Sequence, residues 1–366
     1  MKILLVRLRQ IGDVVFTTPA IHAIRQRFPD ARLSYLVEPA AAPVVSSHPL
    51  LDDVIVAPRA RGLRGVMADL RLGARLRQRR FDLAIDFHGG PRASLLTWLS
   101  GAPTRIGYRV ALRSWMYTRV VPRPRALRPR HSVENQWDLL ESLQVPPANA
   151  ELFPTQMAAD DGARTRVAAR LSQSDVRSQD RVVVMHVSAG NPFRRWPLTS
   201  FGEVASRLAA ASPDRRDIVT SGPAESDAAS RVVADAHTRL GPADARRVVA
   251  WGEDFSLAEL RALVDRAALY IGGDSGPMHV ASTSHVPIVS LYGPTLPARS
   301  APWRSPQWRA AAVEVQGLEC RPCDQRACVP GDFRCLTRID PEMVVDAAER
   351  LLAANGYTEA SEDVRP

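Results

Sequence analysis

The chain has 366 residues, of which 45% are hydrophobic and 24% charged. That length suits two domains, each large enough to bury a core unaided, and the apolar content excludes intrinsic disorder. No stretch approaches the roughly 20 uninterrupted apolar residues of a membrane span.

The N-terminal apolar run is interrupted at once by charge and lacks a small-residue cleavage site. It reads as a first strand and not as a secretory signal, so a cytoplasmic protein is expected. The net charge of +9 rests almost wholly on arginine, because Lys2 is the only lysine. Such a skew fits a GC-rich genome better than a nucleic-acid binder. Arginine is still the better bidentate ligand for phosphate, which leaves a basic face toward an anionic substrate or inner leaflet.

In chain order, strand-like and helix-like segments alternate. Strands are predicted over Lys2–Leu8, Leu33–Val37, Val54–Ala57, Leu83–Phe87 and Arg105–Tyr108. Helices are predicted over Val14–Phe28, Leu63–Arg80 and His131–Leu143. Alternation of this kind means βαβ units and a parallel sheet. Prolines and a polar run mark a linker over 151–180, after an N-terminal domain of 1–150.

The pattern then restarts. Strands are predicted at Arg181–Val187, Asp217–Ser221, Arg247–Trp251, Leu269–Gly272 and Pro287–Tyr292. Helices are predicted at Ser200–Ala211, Glu225–His237, Ser256–Ala267, Pro277–Thr283 and Pro341–Ala354. A second α/β domain over 181–340 and a C-terminal helix and tail over 341–366 complete the chain. In open parallel sheets ligands bind beyond the carboxyl ends of the strands, so the turns there are the ones to inspect.

Three of those turns carry candidate chemistry. In Gly273-Asp274-Ser275-Gly276-Pro277-Met278-His279 a strand runs into a helix start whose free N–H groups suit a diphosphate, although a capped turn without ligand fits equally well. In His186-Val187-Ser188-Ala189-Gly190 small residues permit close backbone approach to an anion, with Arg194 as its cation; a plain connection is the bland alternative. In Gln10-Ile11-Gly12-Asp13 the acid is either the N-cap of the following helix or a general base. No Walker or Gly-x-Gly-x-x-Gly motif occurs, which argues against P-loop ATPases and dinucleotide oxidoreductases.

Cys320, Cys323, Cys328 and Cys335 are the only cysteines. Packed so closely in a cytosolic chain, they suit a four-thiolate zinc or iron site, with free structural thiols as the alternative. His88 is as readily a plain turn residue as a group facing the cleft.

Taken together, Ile11-Gly12-Asp13-Val14-Val15, Thr18-Pro19-Ala20, the Arg194–Pro197 segment and Gly273–His279 resemble glycosyltransferase family 9, the ADP-heptose:lipopolysaccharide heptosyltransferases. The likeness runs from residue 1 to about residue 354. It implies a GT-B fold, two Rossmann-like doubly wound domains facing a central cleft, and inverting transfer without a catalytic metal or cofactor.

It also implies roles. Asp13 would be the catalytic base. Ser188, Ala189, Gly190, Arg194, Gly222, Glu225, Asp274, Ser275, Gly276 and His279 would bind the donor ADP-heptose. Arg59, Arg61, Arg64 and the Arg119–Arg130 cluster would face a lipid-anchored, phosphorylated lipopolysaccharide core acceptor, with peripheral contact at the inner membrane and no nucleic acid. The cysteine cluster would be a structural staple. Two departures stand out: Arg194 stands where the family usually has lysine, and Ser188 is the one hydroxyl in its loop. Remaining alternatives are another nucleotide sugar or a protein acceptor, an inactive relative, or a basic nucleic-acid binder with a cysteine-rich knob.

Overall fold

The computed structural model describes residues 1–60, 62–123, 130–252 and 255–362, with side chains through residue 354 apart from Ala224. The chain forms two compact units. One comprises Met1–Ala158 with Trp303–Ser305, the other Ala159–Pro302 with Pro306–Pro366.

The first unit is built on β1 (Lys2–Val6), β2 (Arg32–Val37), β3 (Asp53–Val56), β4 (Leu83–Asp86), β5 (Thr104–Tyr108) and β6 (Arg119–Val121). They form one parallel sheet in the order β3-β2-β1-β4-β5-β6. The second unit has β7 (Arg181–His186), β8 (Arg215–Thr220), β9 (Val248–Trp251), β10 (Leu269–Gly273), β11 (Ile288–Tyr292) and β12 (Ala310–Glu314). Its parallel order is β12-β11-β10-β7-β8-β9. Both sheets are therefore doubly wound. The direction of winding reverses beside β1 and β4 in one, and beside β7 and β10 in the other. At those two points the flanking connections leave to opposite faces and open a crevice.

Central strands covered by helices on both faces have to be apolar throughout rather than alternating. Ile3–Val6 and Val182–Met185 satisfy this, being fully buried. β6 and β12 lie outside the predicted strands. Both are short edge strands, one rich in Arg and Val and the other in Ala, without the continuous apolar run that marks the centre of the sheet.

The predicted helix Val14–Phe28 is two helices, α1 (Ile11–Val15) and α2 (Thr18–Arg27). Pro19 is the reason. It has no N–H to give to the Val15 carbonyl and fits only the first turn of a new helix. The Thr18 hydroxyl takes that carbonyl instead, at 2.7 Å. The same hydroxyl accepts the Gln156 N–H at 2.8 Å. The predicted linker 151–180 is likewise not bare chain: helix Asp161–Gln173 forms within it, capped by the Asp160 carboxylate at the Ala163 N–H, 2.6 Å away.

Two further helices matter below, α3 (Gly62–Gln78) and α4 (Pro91–Leu99), which pack on each other. The C-terminal helix Pro341–Glu362 docks on the second sheet through Val344, Ala347, Ala348, Leu351 and Leu352, a stripe at helical spacing. Its Glu349 holds the Arg215 guanidinium at 2.5 and 2.7 Å. No helix of the described residues is long and apolar enough to cross a membrane.

Asp217, on β8, is fully buried and neither carboxylate oxygen has a hydrogen-bond partner among the described residues. Burial pushes its carboxyl up to about 8, against the pull of Arg215. The folded state therefore keeps a proton that the unfolded chain releases near pH 4, and stability declines as pH rises from about 4 to about 8. Asp217→Asn, neutral throughout, is expected to flatten this decline and to melt above the wild type at pH 8. Thermal melts across pH 5–8 test this, and parallel curves for the two proteins would contradict it.

Candidate active site

The first unit contributes the turn after β1. Arg7, the residue that follows the strand, donates to the Phe87 carbonyl at the end of β4, 2.5 Å away, and so bridges the reversal point of the sheet. Its other terminal nitrogen forms an ion pair with Asp13. Asp13 is not the N-cap. Gln10 holds that position, and Asp13 stands three residues on, reaching back to the Gln10 N–H at 3.4 Å. Its side chain stays 39% exposed.

The last residue of β4, the buried Asp86, accepts N–H bonds from His88 (2.8 Å) and Gly89 (2.9 Å) and the Tyr117 hydroxyl at 2.6 Å. This network shapes the turn that carries His88. Burial, helped by Arg7, lowers the His88 imidazole to about 4, and the nearby Asp13 opposes the shift. A neutral imidazole therefore stands close to Arg7 and Asp13. Sequence reasoning left His88 open and missed Arg7, whose only signal was its place at a strand end beside the motif.

Arg59 and Arg64 are exposed at the start of α3, and neither has an ion pair or hydrogen bond to Asp13 among the described residues. Arg61 lies outside the described residues, as do Arg125 and Arg128 of the Arg119–Arg130 cluster; of its other arginines, Arg130 pairs with Asp138 at 2.8 Å and Arg123 lies over the Tyr108 ring at 5.5 Å.

The second unit contributes the turns after β7, β8 and β10. At the end of β7 the buried His186 is lowered by burial to about 4. Its Nδ1 lies 3.0 Å from Thr220 Oγ1 and its Nε2 3.1 Å from Ser188 Oγ. The Thr220 hydroxyl points toward the Met185 carbonyl, so it accepts from Nδ1–H and leaves Nε2 to accept from Ser188. Ser188 Oγ in turn accepts the Gly222 N–H at 2.6 Å. A Cβ at Gly222 would lie 3.2 Å from that oxygen, so glycine keeps the two turns in register.

Glu225 accepts the Ala189 N–H at 3.1 Å and pairs with Arg195 at 3.1 Å. The Ala189 amide, expected to face phosphate, is thus occupied by a carboxylate of the protein. A Cβ at Gly190 would meet nothing within 4 Å, so no close approach there demands glycine.

After β10, helix Gly276–Ala281 begins with Ser275 as its cap residue and Pro277 in its first turn, as the motif predicts. Ser275 Oγ is buried and has no hydrogen-bond partner among the described residues. Asp274 lies beneath the turn, 1% exposed, and faces inward. Thr295 donates to it at 2.5 Å, Arg194 stands 3.2 Å away, and His279 Nε2 lies 3.4 Å away. Burial alone would raise this carboxyl, yet His279, Arg194 and Thr295 together hold it down at about 2. Asp274 and His279 therefore brace the turn, while Ser275 and the first N–H groups of the helix front it.

Arg194 also donates to the Asp274 carbonyl at 3.1 Å and, through Nε, to Gln325 Oε1 at 2.8 Å. Asn191 donates to the same oxygen at 2.8 Å. Gln325 belongs to the cysteine loop, which is thereby tied to the diphosphate candidate. Nothing in its sequence signalled this role.

All four cysteines line one cavity of about 190 Å³ together with Phe193 and Phe333. Burial raises the Cys335 thiol, and the other three thiols add to the shift. The donor set suits a soft or borderline metal. Even so, no three His, Cys, Asp or Glu side chains among the described residues form a ready ligand set.

The model of glycosyltransferase family 9 (heptosyltransferase) matches residues 69–332. The chain is 26% identical over 352 residues to lipopolysaccharide heptosyltransferase 3 of Escherichia coli K12, covering 94% of this chain and 96% of that one. It is 24% identical over 307 residues to lipopolysaccharide heptosyltransferase 2 of the same strain, covering 82% and 85%. Among solved structures, a glycosyl transferase of family 9 from Veillonella parvula superposes with a TM-score of 0.82 at 25% identity, covering 96% and 97%. The ADP-heptose lipopolysaccharide heptosyltransferase II of E. coli superposes at 0.78 with 21% identity, covering 97% and 100%, a likeness of fold.

Removing the charge beneath the turn tests its bracing. Asp274→Asn leaves Arg194 without its counter-ion, and about 1–3 kcal/mol of stability should be lost at pH 7. A carboxyl held near 2 also makes the wild type lose stability as pH falls from about 4 to 2, a loss the variant should lack. Denaturant unfolding at pH 7 and pH 3 distinguishes this from a merely solvated residue, for which neither value would move.

Proposed function

The chain belongs to glycosyltransferase family 9, and on that premise we propose that it moves heptose from ADP-heptose to the inner core of lipopolysaccharide, with inversion at the anomeric carbon. It is a glycosyltransferase by that membership. The donor, the acceptor and the residue roles are our reading. The observation that carries it is the placement of the three candidate turns: each lies at a carboxyl-end reversal point of its own sheet, where open α/β sheets bind ligands.

In this reading the Asp13 carboxylate takes the proton of the acceptor hydroxyl. The oxygen attacks the anomeric carbon as the bond to the diphosphate oxygen breaks, and ADP leaves with the electron pair. Proton transfer of this kind is worth about 10²- to 10⁴-fold. Arg7 orients Asp13 through their ion pair. The charge that develops on ADP is met by Arg194, by Ser275 and by the N–H groups of Gly276 and Met278, fixed before the reaction by Asp274 and His279. Ser188, Ala189 and Gly190 line the diphosphate, and Gly222 and Glu225 the nucleoside.

The acceptor is a phosphorylated, lipid-anchored core, met by Arg59, Arg61 and Arg64 at the cytoplasmic face of the inner membrane. Cys320, Cys323, Cys328 and Cys335 would hold a structural zinc or iron ion, once their thiols converge on it. When bound it would supply rigidity alone, and no catalytic cofactor is needed.

Asp13→Ala should lose transfer by about 10²- to 10⁴-fold while keeping ADP-induced thermal stabilisation, about 2.7 kcal/mol at a hundredfold excess over Kd. Wild-type transfer by the variant would remove Asp13 from the mechanism. Stabilisation by UDP or GDP in place of ADP would reassign the donor, and stabilisation by no nucleotide would undo the donor site.

For the cysteines, elemental analysis of protein purified without chelator should give close to one zinc or iron per chain. Cys323→Ser should lower both the metal content and the melting temperature. Metal-free protein that melts like the variant would mean free thiols.

A further inference from the structure

Helix α3 should bury one face, as a surface helix does, and it does so only in its second half, through Leu72, Gly73 and Leu76. Its first half presents Leu63, Val66, Met67 and Leu70 outward, from 85% exposed at Leu63 to 47% at Leu70. Their spacing of three, four and seven residues puts them on one stripe about 100° wide. Four large apolar side chains aligned in water are costly and call for a partner.

The flanking charge indicates which. Residues 59–80 contain eight arginines and a single acid, Asp69. Asp69 is already neutralised by Arg92 of α4, at 2.7 Å. Arg64, Arg71 and Arg75 recur along one flank of the stripe, and none of them has an ion pair among the described residues.

Helix α4 lies beside α3 on the same side of the sheet, as right-handed crossovers require. It adds Trp98, whose ring meets that of Trp115 edge-on at 5.4 Å. Both tryptophans are exposed, Trp115 by 62%. Indoles favour the headgroup level of a bilayer, and arginines beside an apolar stripe favour anionic lipid. A second copy of the chain would bring the same cations and be repelled.

We propose that the first half of α3 is a membrane-docking element that lies in the surface of an anionic phospholipid bilayer, with Leu63, Val66, Met67 and Leu70 inserted and the Trp98–Trp115 pair at the interface. The inference deepens the membrane side of the proposed function and rests on that reading only for the acceptor's lipid anchor. The test below uses neither donor nor acceptor, so its failure leaves the transfer reaction to be judged by Asp13.

Full-length protein should sediment with vesicles of phosphatidylethanolamine and phosphatidylglycerol and far less with phosphatidylcholine. The combined variant Leu63→Gln, Val66→Gln, Met67→Gln and Leu70→Gln keeps every arginine. It should bind the anionic vesicles at least tenfold more weakly, with an unchanged circular-dichroism melt. Brominated lipid should quench wild-type tryptophan fluorescence, and Trp98→Phe with Trp115→Phe should remove most of that quenching, a readout that does not depend on the glutamine variant folding.

Any of four results would overturn the proposal. These are wild-type protein that stays in the supernatant at low salt, equal binding to phosphatidylcholine, a glutamine variant that sediments like the wild type, and a wild-type dimer that the variant dissolves, which would assign the face to a second copy.

Discussion

A carboxylate taken out of water must be matched by donors and cations, and at Asp274 that requirement organises the whole diphosphate candidate. With 1% of its side chain exposed, it draws Arg194 inward, engages the Thr295 hydroxyl and lies against His279. Arg194 is thereby fixed, its Nη1 on Asp274 and its Nε on Gln325. Buried ion pairs add little net stability, but breaking one is costly, so their geometry is hard to perturb. What the arrangement provides is position. The cation, the loop after β7 and the cysteine loop are all referred to one buried charge.

Preorganisation of this kind is what phosphate departure asks of a protein, because donors already in place need no reorganisation when charge develops. The half built around Asp13 follows a different rule. Its carboxylate is held by Arg7 and by the Gln10 N–H yet remains partly open to solvent. That openness suits the proposed base, since a group that is to meet an incoming hydroxyl cannot be sealed the way a bracing group is.

Much of the fold was legible because central strands buried on both faces leave an unmistakable signature. Val182-Val183-Val184 can hardly be anything else, whereas Arg119–Val121 and Ala310–Glu314 lie at sheet edges and carry no such mark. The break at Phe16-Thr17 could have been read from Pro19, but the surrounding helical periodicity masked it.

Of the site, the residues close in sequence were visible: Asp13, Ser188, Ser275 and Gly276 stand at strand ends within short motifs. Groups that act across sequence distance were not. Arg7 works through Phe87 and Gln325 through Arg194, and Glu225, expected beside the nucleoside, reaches instead to Ala189; no local pattern announces a contact made 36 or 131 residues away. Asp274 was found for its position in a motif, while its inward orientation follows from Thr295 and Arg194, which only the fold supplies.

The bond from the Ala189 amide to Glu225 changes how the loop after β7 stands before any ligand arrives. The loop already holds an anion, and that anion is its own. A diphosphate that takes the amide has to displace a tethered carboxylate, so its affinity reports the difference between two anions and not the filling of a vacancy. Monoanions gain little from such an exchange, while a more highly charged group gains more. For the donor proposed above, the internal ligand would act as a threshold, keeping the loop shaped and occupied until a stronger competitor presents itself.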